Sequence, residues 1–350
     1  MKTDDGSIID SEGKLVFLSR TLFERDVAKG ARCFLCAQSI SKNTSTREHI
    51  IPNWVIRKCN IQDRRINLPN GARVNYGRYV IECCTNCNGL LDKEIEKPIK
   101  KVFDSGFDGL RDFINNGGRD TLIIWLSLIS IKTHLKDQNF RMNLNFKSGN
   151  ESIAEGVGYD WDIFHHTYCI SRIPFTKSSY DDSALGSLIV VKINEDGIED
   201  HFDFFDITRA HTIGLVIQGV GIIAVFGDAG VVRHAIETQI VDRIEGPVSH
   251  PQFRELVAHF SSCALHLKTH PNFMTITSRS NHDELKIVTT MPERWPEFEV
   301  FERRLLGSLM TFMLHDFIDE NELEDLASGE LSFLFDGDGK FIKESYKPKE

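Results

Sequence analysis

Cys33-Phe34-Leu35-Cys36, Arg47-Glu48-His49-Ile50-Ile51-Pro52 and Cys84-Thr85-Asn86-Cys87-Asn88 are the three stretches whose reading decides the fold of the N-terminal part. Two Cys-x-x-Cys pairs roughly 50 residues apart have the spacing of four tetrahedral thiolate ligands for one zinc ion, because each tight turn aims two sulfurs at one point. One such pair alone would say little. Two pairs around an acidic residue and a His, with Asn directly after the second pair, form a far more specific arrangement. Cys83 competes with Cys84 for the ligand position; Cys59, Cys169 and Cys263 read as small core residues, as does Cys83 if Cys84 is the ligand.

Working outward, residues 14–30 read as a short strand and a turn leading into the first cysteine pair. Glu48 to Trp54 reads as a strand end or turn, since Pro52 cannot continue a helix. Asn67-Leu68-Pro69-Asn70-Gly71 is turn chemistry, and Arg78 to Cys83 reads as a strand. From Asn88 onward Leu91, Ile95, Ile99 and Phe103 recur every four residues, which is one stripe of a helix. Asn115-Asn116-Gly117-Gly118 then interrupts the chain, and the expected domain boundary lies there, giving 1–118 and 119–350. The second part opens with an apolar helix over 120–136. Strand-like runs follow at 163–173, 187–193, 212–217 and 221–226, then helices at 251–270 and 297–317 with a strand pair at 273–278 and 285–290 between them. A hairpin over 331–335 and 341–343 closes the chain across Asp336-Gly337-Asp338-Gly339. The expected class is α+β: a small zinc module followed by a mixed α+β domain.

Charge divides the same way. Residues 1–101 hold 18 Lys and Arg against 12 Asp and Glu, whereas the remainder holds 23 against 39. A basic module joined to an acidic one implies that only the first meets a polyanion. Arg57, Lys58, Arg64, Arg65, Arg73 and Arg78 lie between the cysteine pairs, where they could reach phosphates. Apolar runs are shorter than the ~18 residues of a membrane span. The start, Met1-Lys2-Thr3-Asp4-Asp5-Gly6, has no apolar leader. Cysteines in close pairs suit metal binding in a reducing cytoplasm, the expected location.

Taken together, residues 30–103 resemble the HNH endonucleases of the wider His-Me finger group. The family pattern is Cys-x-x-Cys, an acidic residue and His before Ile-x-Pro, a middle Asn, then Cys-x-x-Cys-Asn entering a helix. The resemblance implies a ββα-metal module in which a hairpin and a helix clamp one divalent ion, with a structural zinc on Cys33, Cys36, Cys84 and Cys87 outside it. Nucleic acid, double-stranded DNA rather than RNA, is the implied partner, and phage defence or restriction the implied setting. A protein or small ligand is the expected partner of the acidic domain, and a second copy of the chain a further one.

Phosphodiester hydrolysis needs an activated water and a cation that stabilises the developing charge. His49, the only His among the first 133 residues, is the candidate general base. Glu48 and Asn88 offer hard oxygen ligands to Mg²⁺ or Mn²⁺. Asp92 and Glu96 lie one and two turns beyond Asn88, and either could complete the shell; Asp92 is the nearer choice. Glu48 stands where the family more often has Asp. For the middle Asn, which orients the His, Asn67, Asn70 and Asn75 are open, and Asn75 is favoured because it closely precedes the second strand. The competing reading is a non-catalytic zinc ribbon that binds nucleic acid or protein, with Asn88 a helix cap. His165-His166 reads as a strand edge, and His259, His266 and His270 as core or surface residues of one helix. Asp336-x-Asp338-Gly339 is a turn rather than a calcium loop, and 214–230 matches no phosphate loop.

Overall fold

In the computed structural model the described residues are 1–343, apart from 42–43, 146, 148, 196–200 and 278–283. Helices and strands are mixed, as α+β requires. The chain forms two compact units, each discontinuous in sequence. The first comprises residues 1–102, 120–181 and 273–288; the second comprises 103–119, 182–272 and 289–350. The expected division at 118 therefore does not follow the contacts. The helix expected to open the second domain belongs, from Asp120 onward, to the first.

The first unit is assembled from short pieces. β1 (Ser45–His49) pairs antiparallel with β2 (Val80–Cys84), with Ser45 opposite Cys84 and His49 opposite Val80. Helix α1 (Thr85–Leu91) follows β2 directly and packs on both strands. The helical path continues through a wide turn, Asp92–Glu96, whose Lys97 N–H bonds back to the Asp92 carbonyl. Pro98 explains the wide turn: it has no N–H to donate and its ring crowds the carbonyl four residues earlier. Leu91, Ile95, Ile99 and Phe103 are all buried, as their spacing predicts.

At the centre lies α2 (Arg119–Asp137), buried on every side from Leu122 to Leu135. A helix with so many apolar residues on every face must be enclosed, and its few polar ones, Lys132 among them, are buried with it. Its Trp125 stacks on Trp54, with ring centres 6.0 Å apart. The run 163–173, expected as strand, is instead helix α3 (Trp161–Ser171), capped by Asp160. Phe164, His165 and Tyr168 share its inward face, and the Asp cap together with this four-residue period outweighs the strand propensity of the individual residues. Residues 14–30 likewise hold helical turns from Arg20 to Ala28 after a three-residue strand.

The second unit has one four-stranded antiparallel sheet: β3 (Ser187–Lys192), β4 (Phe202–Ile207), β5 (Thr212–Ile217) and β6 (Val220–Val225), in the order β3-β6-β5-β4. Helix α4 (His250–Leu265) lies on it, with α5 (Arg303–Leu314) against α4. β4 was not foreseen from the sequence. Every residue of β5 and β6 is buried. Gly214 and Gly221 let α4 approach closely: a Cβ at either would lie 2.7 Å from Val257 or Phe253. Of the expected C-terminal hairpin only the turn and one bridge form, Phe335 pairing with Phe341 and Asp336 accepting from the Asp338 and Lys340 amides, while 331–335 and 341–343 are not strands. Gln252 donates to the Phe333 and Ile342 carbonyls and so ties this segment to α4. Helix α4 ends at Leu265, so His270 lies beyond it. Among the described residues no helix is long and apolar enough to cross a membrane.

Candidate metal centre and candidate active site

The strand pair separates two polar sites. Ser45 to His49 spans four residue steps, roughly 13 Å at strand rise. The cysteines gather at the Ser45–Cys84 end and Glu48–His49 stand at the other.

The sulfurs of Cys33, Cys36, Cys84 and Cys87 all lie within 4.8 Å of one another. Cys36 and Cys84 sulfurs are 3.6 Å apart, and the Cys84 amide donates to Cys33 Sγ at 3.5 Å. Strand alternation decides between the neighbours: Cys84 faces the cluster, and Cys83 is buried outside it, with desolvation raising its thiol pKa. The first knuckle closes when Ala37 takes a left-handed conformation and donates to the Cys33 carbonyl. Crowded thiols cannot all ionise together. Hydrogen bonds from Cys36 and Cys87 pull Cys33 down, while burial and the neighbouring sulfurs push Cys84 up to about 12. Four soft donors that close fit a structural metal such as zinc, which would relieve that repulsion.

Arg172 braces this end, and sequence reading passed over it. It is buried and donates to the carbonyls of Leu35, Val16 and Leu15, tying the knuckle to the N-terminal strand. Its guanidinium lies over the Tyr168 and Phe175 rings.

At the other end His49 is half-buried. Burial, then the cations of Lys132 and Arg57, lower its pKa against the opposing pull of Glu48, and a ring N–H donates to the Gly77 carbonyl. Gly77 sits in a turn, Tyr76–Arg78, pinned where the Tyr76 and Gly77 amides reach the Arg64 and Gln62 carbonyls. Asn75 ends the strand just before that turn, opposite Arg65. Asn70 serves its own turn and the Arg141 carbonyl.

Glu48 points inward and is buried. Lys132 of α2, also buried, donates to Glu48 Oε1 and to the His49 carbonyl, both at 2.7 Å. Glu96 completes the group. Desolvation and the charge of Glu48, to which it hydrogen-bonds, push Glu96 up to about 7 despite Lys132. Asp92, the nearer choice from sequence, is half exposed and pairs with Lys97 at 2.6 Å. The wide turn at 92–96 shifts the helical phase so that Glu96, one of the two residues left open by spacing, meets Glu48. Asn88 is half-buried on α1, the helix against both strands. Lys132 was not singled out from the sequence, although a lone lysine amid an otherwise buried run was its signal. Arg57, Arg65, Arg73 and Arg78 are exposed on the segment joining β1 to β2.

The oxygen donors Glu48, Glu96, Asp92 and Asn88 are hard ligands of the kind Mg²⁺ or Mn²⁺ takes. Glu48 Oε1 is engaged by the Lys132 ammonium and Asp92 by Lys97, and among the described residues the cysteines are the only group of three or more His, Cys, Asp or Glu gathered closely enough to hold an ion. The fold and this centre define a two-unit α+β protein with a four-cysteine metal-type cluster. No family model, no curated protein and no solved structure matches the chain.

Proposed function

We propose that the chain is a metal-dependent endonuclease of HNH type that hydrolyses phosphodiester bonds in nucleic acid, double-stranded DNA before RNA. The observation that carries the reading is His49: half-buried, its pKa depressed, its ring held by the Gly77 carbonyl, on a strand backed by the helix that bears Asn88. An imidazole neutral at pH 7 accepts a proton from an attacking water. Gly77 would fix its orientation, and Asn75, which ends the strand just before that turn, is the middle Asn of this reading. The exposed Arg57, Arg65, Arg73 and Arg78 would meet the phosphates. A divalent ion held by Glu48, Asn88 and Asp92 or Glu96 would supply charge stabilisation for the phosphorane-like transition state. The zinc of the cysteine cluster is structural in this reading, and the reaction belongs in the cytoplasm, in phage defence or restriction.

A second reading is favoured by one observation. Lys132 already neutralises Glu48, so the pair could be a buried structural tie within a zinc ribbon that binds nucleic acid without cutting it. Cleavage of plasmid DNA and of RNA in Mg²⁺ or Mn²⁺ separates the two. His49→Ala is expected to lower the rate by ~10²–10⁴ with zinc content unchanged, the usual cost of losing a general base. Undiminished cleavage by that variant removes the catalytic assignment. Binding with no cleavage by the wild type under any divalent ion favours the ribbon.

A further inference from the structure

The second unit carries a half-open cleft of about 1080 Å³ between α4, the start of α5 and the C-terminal segment. This lies just above the volumes that small-molecule sites usually occupy, about 300–1,000 Å³. Its wall is mostly apolar, with Ile236, Ile240, Leu306 and Met310 among its lining. Phe298, Phe301 and Phe335 present ring surface to it, and Phe301 remains 54% exposed.

The charged groups at the cavity argue against an anionic occupant. Glu255, Glu299, Glu330 and Asp336 line it against Arg243 and Arg303. Arg243 is engaged, donating to the Gln239 and Gly339 carbonyls and lying over the Phe335 ring, and Arg303 forms an exposed pair with Glu330 at 3.7 Å. The buried Glu255 is satisfied by the Ser332 hydroxyl and the Phe333 and Leu334 amides. His266 is fully used as well, Nδ1 on the Ser262 carbonyl and Nε2 accepting from the Glu302 amide. His259 differs. One turn after Glu255 on α4, it has Nε2 3.5 Å from the Glu255 carboxylate, and its ring lines the cavity. It is the polar group best placed to meet a guest.

We propose that this cavity is a binding site for an uncharged, ring-bearing small molecule, with His259 as its polar anchor. The apolar wall and the three phenylalanines take the rings, and the carboxylate excess turns anions away. The site is independent of the nuclease reading, since every lining residue belongs to the second unit.

Titration of the full chain with Nile red, a neutral planar dye with one carbonyl acceptor, tests this. Saturable binding of one dye per chain with blue-shifted emission is expected. Met310→Trp, which pushes a larger side chain into the cleft wall, should weaken it at least tenfold in a chain that still unfolds cooperatively. Ile240→Trp, on the half-buried part of the wall, should do the same and serves if the first variant does not fold. His259→Ala should weaken binding about two- to tenfold, the scale of one neutral hydrogen bond. The anionic dye 1-anilinonaphthalene-8-sulfonate should bind more weakly than Nile red. Non-saturable binding, wall variants that bind as the wild type does, or a preference for the anionic dye would overturn the proposal.

Discussion

Strand β6 of the second unit and strand β1 of the first are nearly equal in length, six residues and five, yet their interiors are opposite in kind. Val220–Val225 buries all of its side chains and all are apolar or glycine. In Ser45–His49 the one fully buried residue is Glu48, which needs Lys132 beside it. The contrast extends through each unit. Around β6 a sixteen-residue helix lies flat on a four-stranded sheet, and burial of apolar area at ~25 cal/mol per Å² stabilises it. Around β1 most strands are two-stranded pairs of five residues or fewer, and the unit's larger sheet has three strands, one of them only two residues long. Such short pairs are marginal alone, so the first unit leans on an enclosed helix, a cysteine cluster and buried ionic groups. The difference teaches where each unit is vulnerable: one to loss of a ligand or charge partner, the other to loss of shape.

The comparison breaks most visibly at the cysteines. Removal of the cluster's metal by chelator, or Cys84→Ser, should abolish hydrogen-exchange protection across 33–36, 45–49 and 80–88 in the full chain while 212–225 and 250–265 keep theirs. Structural zinc in small modules contributes ~10–16 kcal/mol, more than such a unit can lose. Protection unchanged everywhere would mean that the cluster is no staple.

Next in size is Lys132→Ala, which leaves Glu48 buried with an uncompensated charge. It should cost ~3–5 kcal/mol in urea denaturation. The double change Lys132→Met with Glu48→Gln should recover much of it, because two neutral groups of similar volume carry no such penalty. A loss under 1 kcal/mol for the single variant would show that the pair is not energetically buried.

In the second unit the matching test is one of shape. Gly214→Ala places a methyl 2.7 Å from Val257 and should cost ~1–3 kcal/mol, as overpacking does. Equal stability would mean that α4 can retreat from the sheet.

The smallest effect concerns pH. Glu96 is raised from its ordinary 4.5 to about 7, so between those values the folded chain holds a proton that the unfolded chain has released. Stability from this group is therefore present at low pH and lost as pH rises through about 7. Glu96→Gln should flatten that slope, read as the wild-type minus variant urea midpoint between pH 5 and 8. A variant curve parallel to the wild type would place Glu96 in water.

Much of the first site was legible residue by residue. The Cys-x-x-Cys spacing named all four clustered cysteines, and two-residue strand alternation accounts for Cys84 over Cys83. The stripe at Leu91, Ile95 and Ile99 was equally plain, since helical burial repeats locally. Helix α3 was misread as strand because Ile163, Tyr168 and Ile170 carry strand propensity, and only the Asp160 cap and the shared inward face tip the balance.

What the sequence determined by itself were features set within a few neighbouring residues: the cysteine knuckles, the β1 motif with its single histidine, the apolar helix and the final turn. The tertiary structure alone decided which distant groups meet. Lys132 reaches Glu48 across 84 positions, Arg172 reaches the Leu35 carbonyl across 137, and α2 crosses the expected boundary into the first unit. A buried charge must find its opposite or a row of carbonyls wherever the chain brings one, and no local period records that partner.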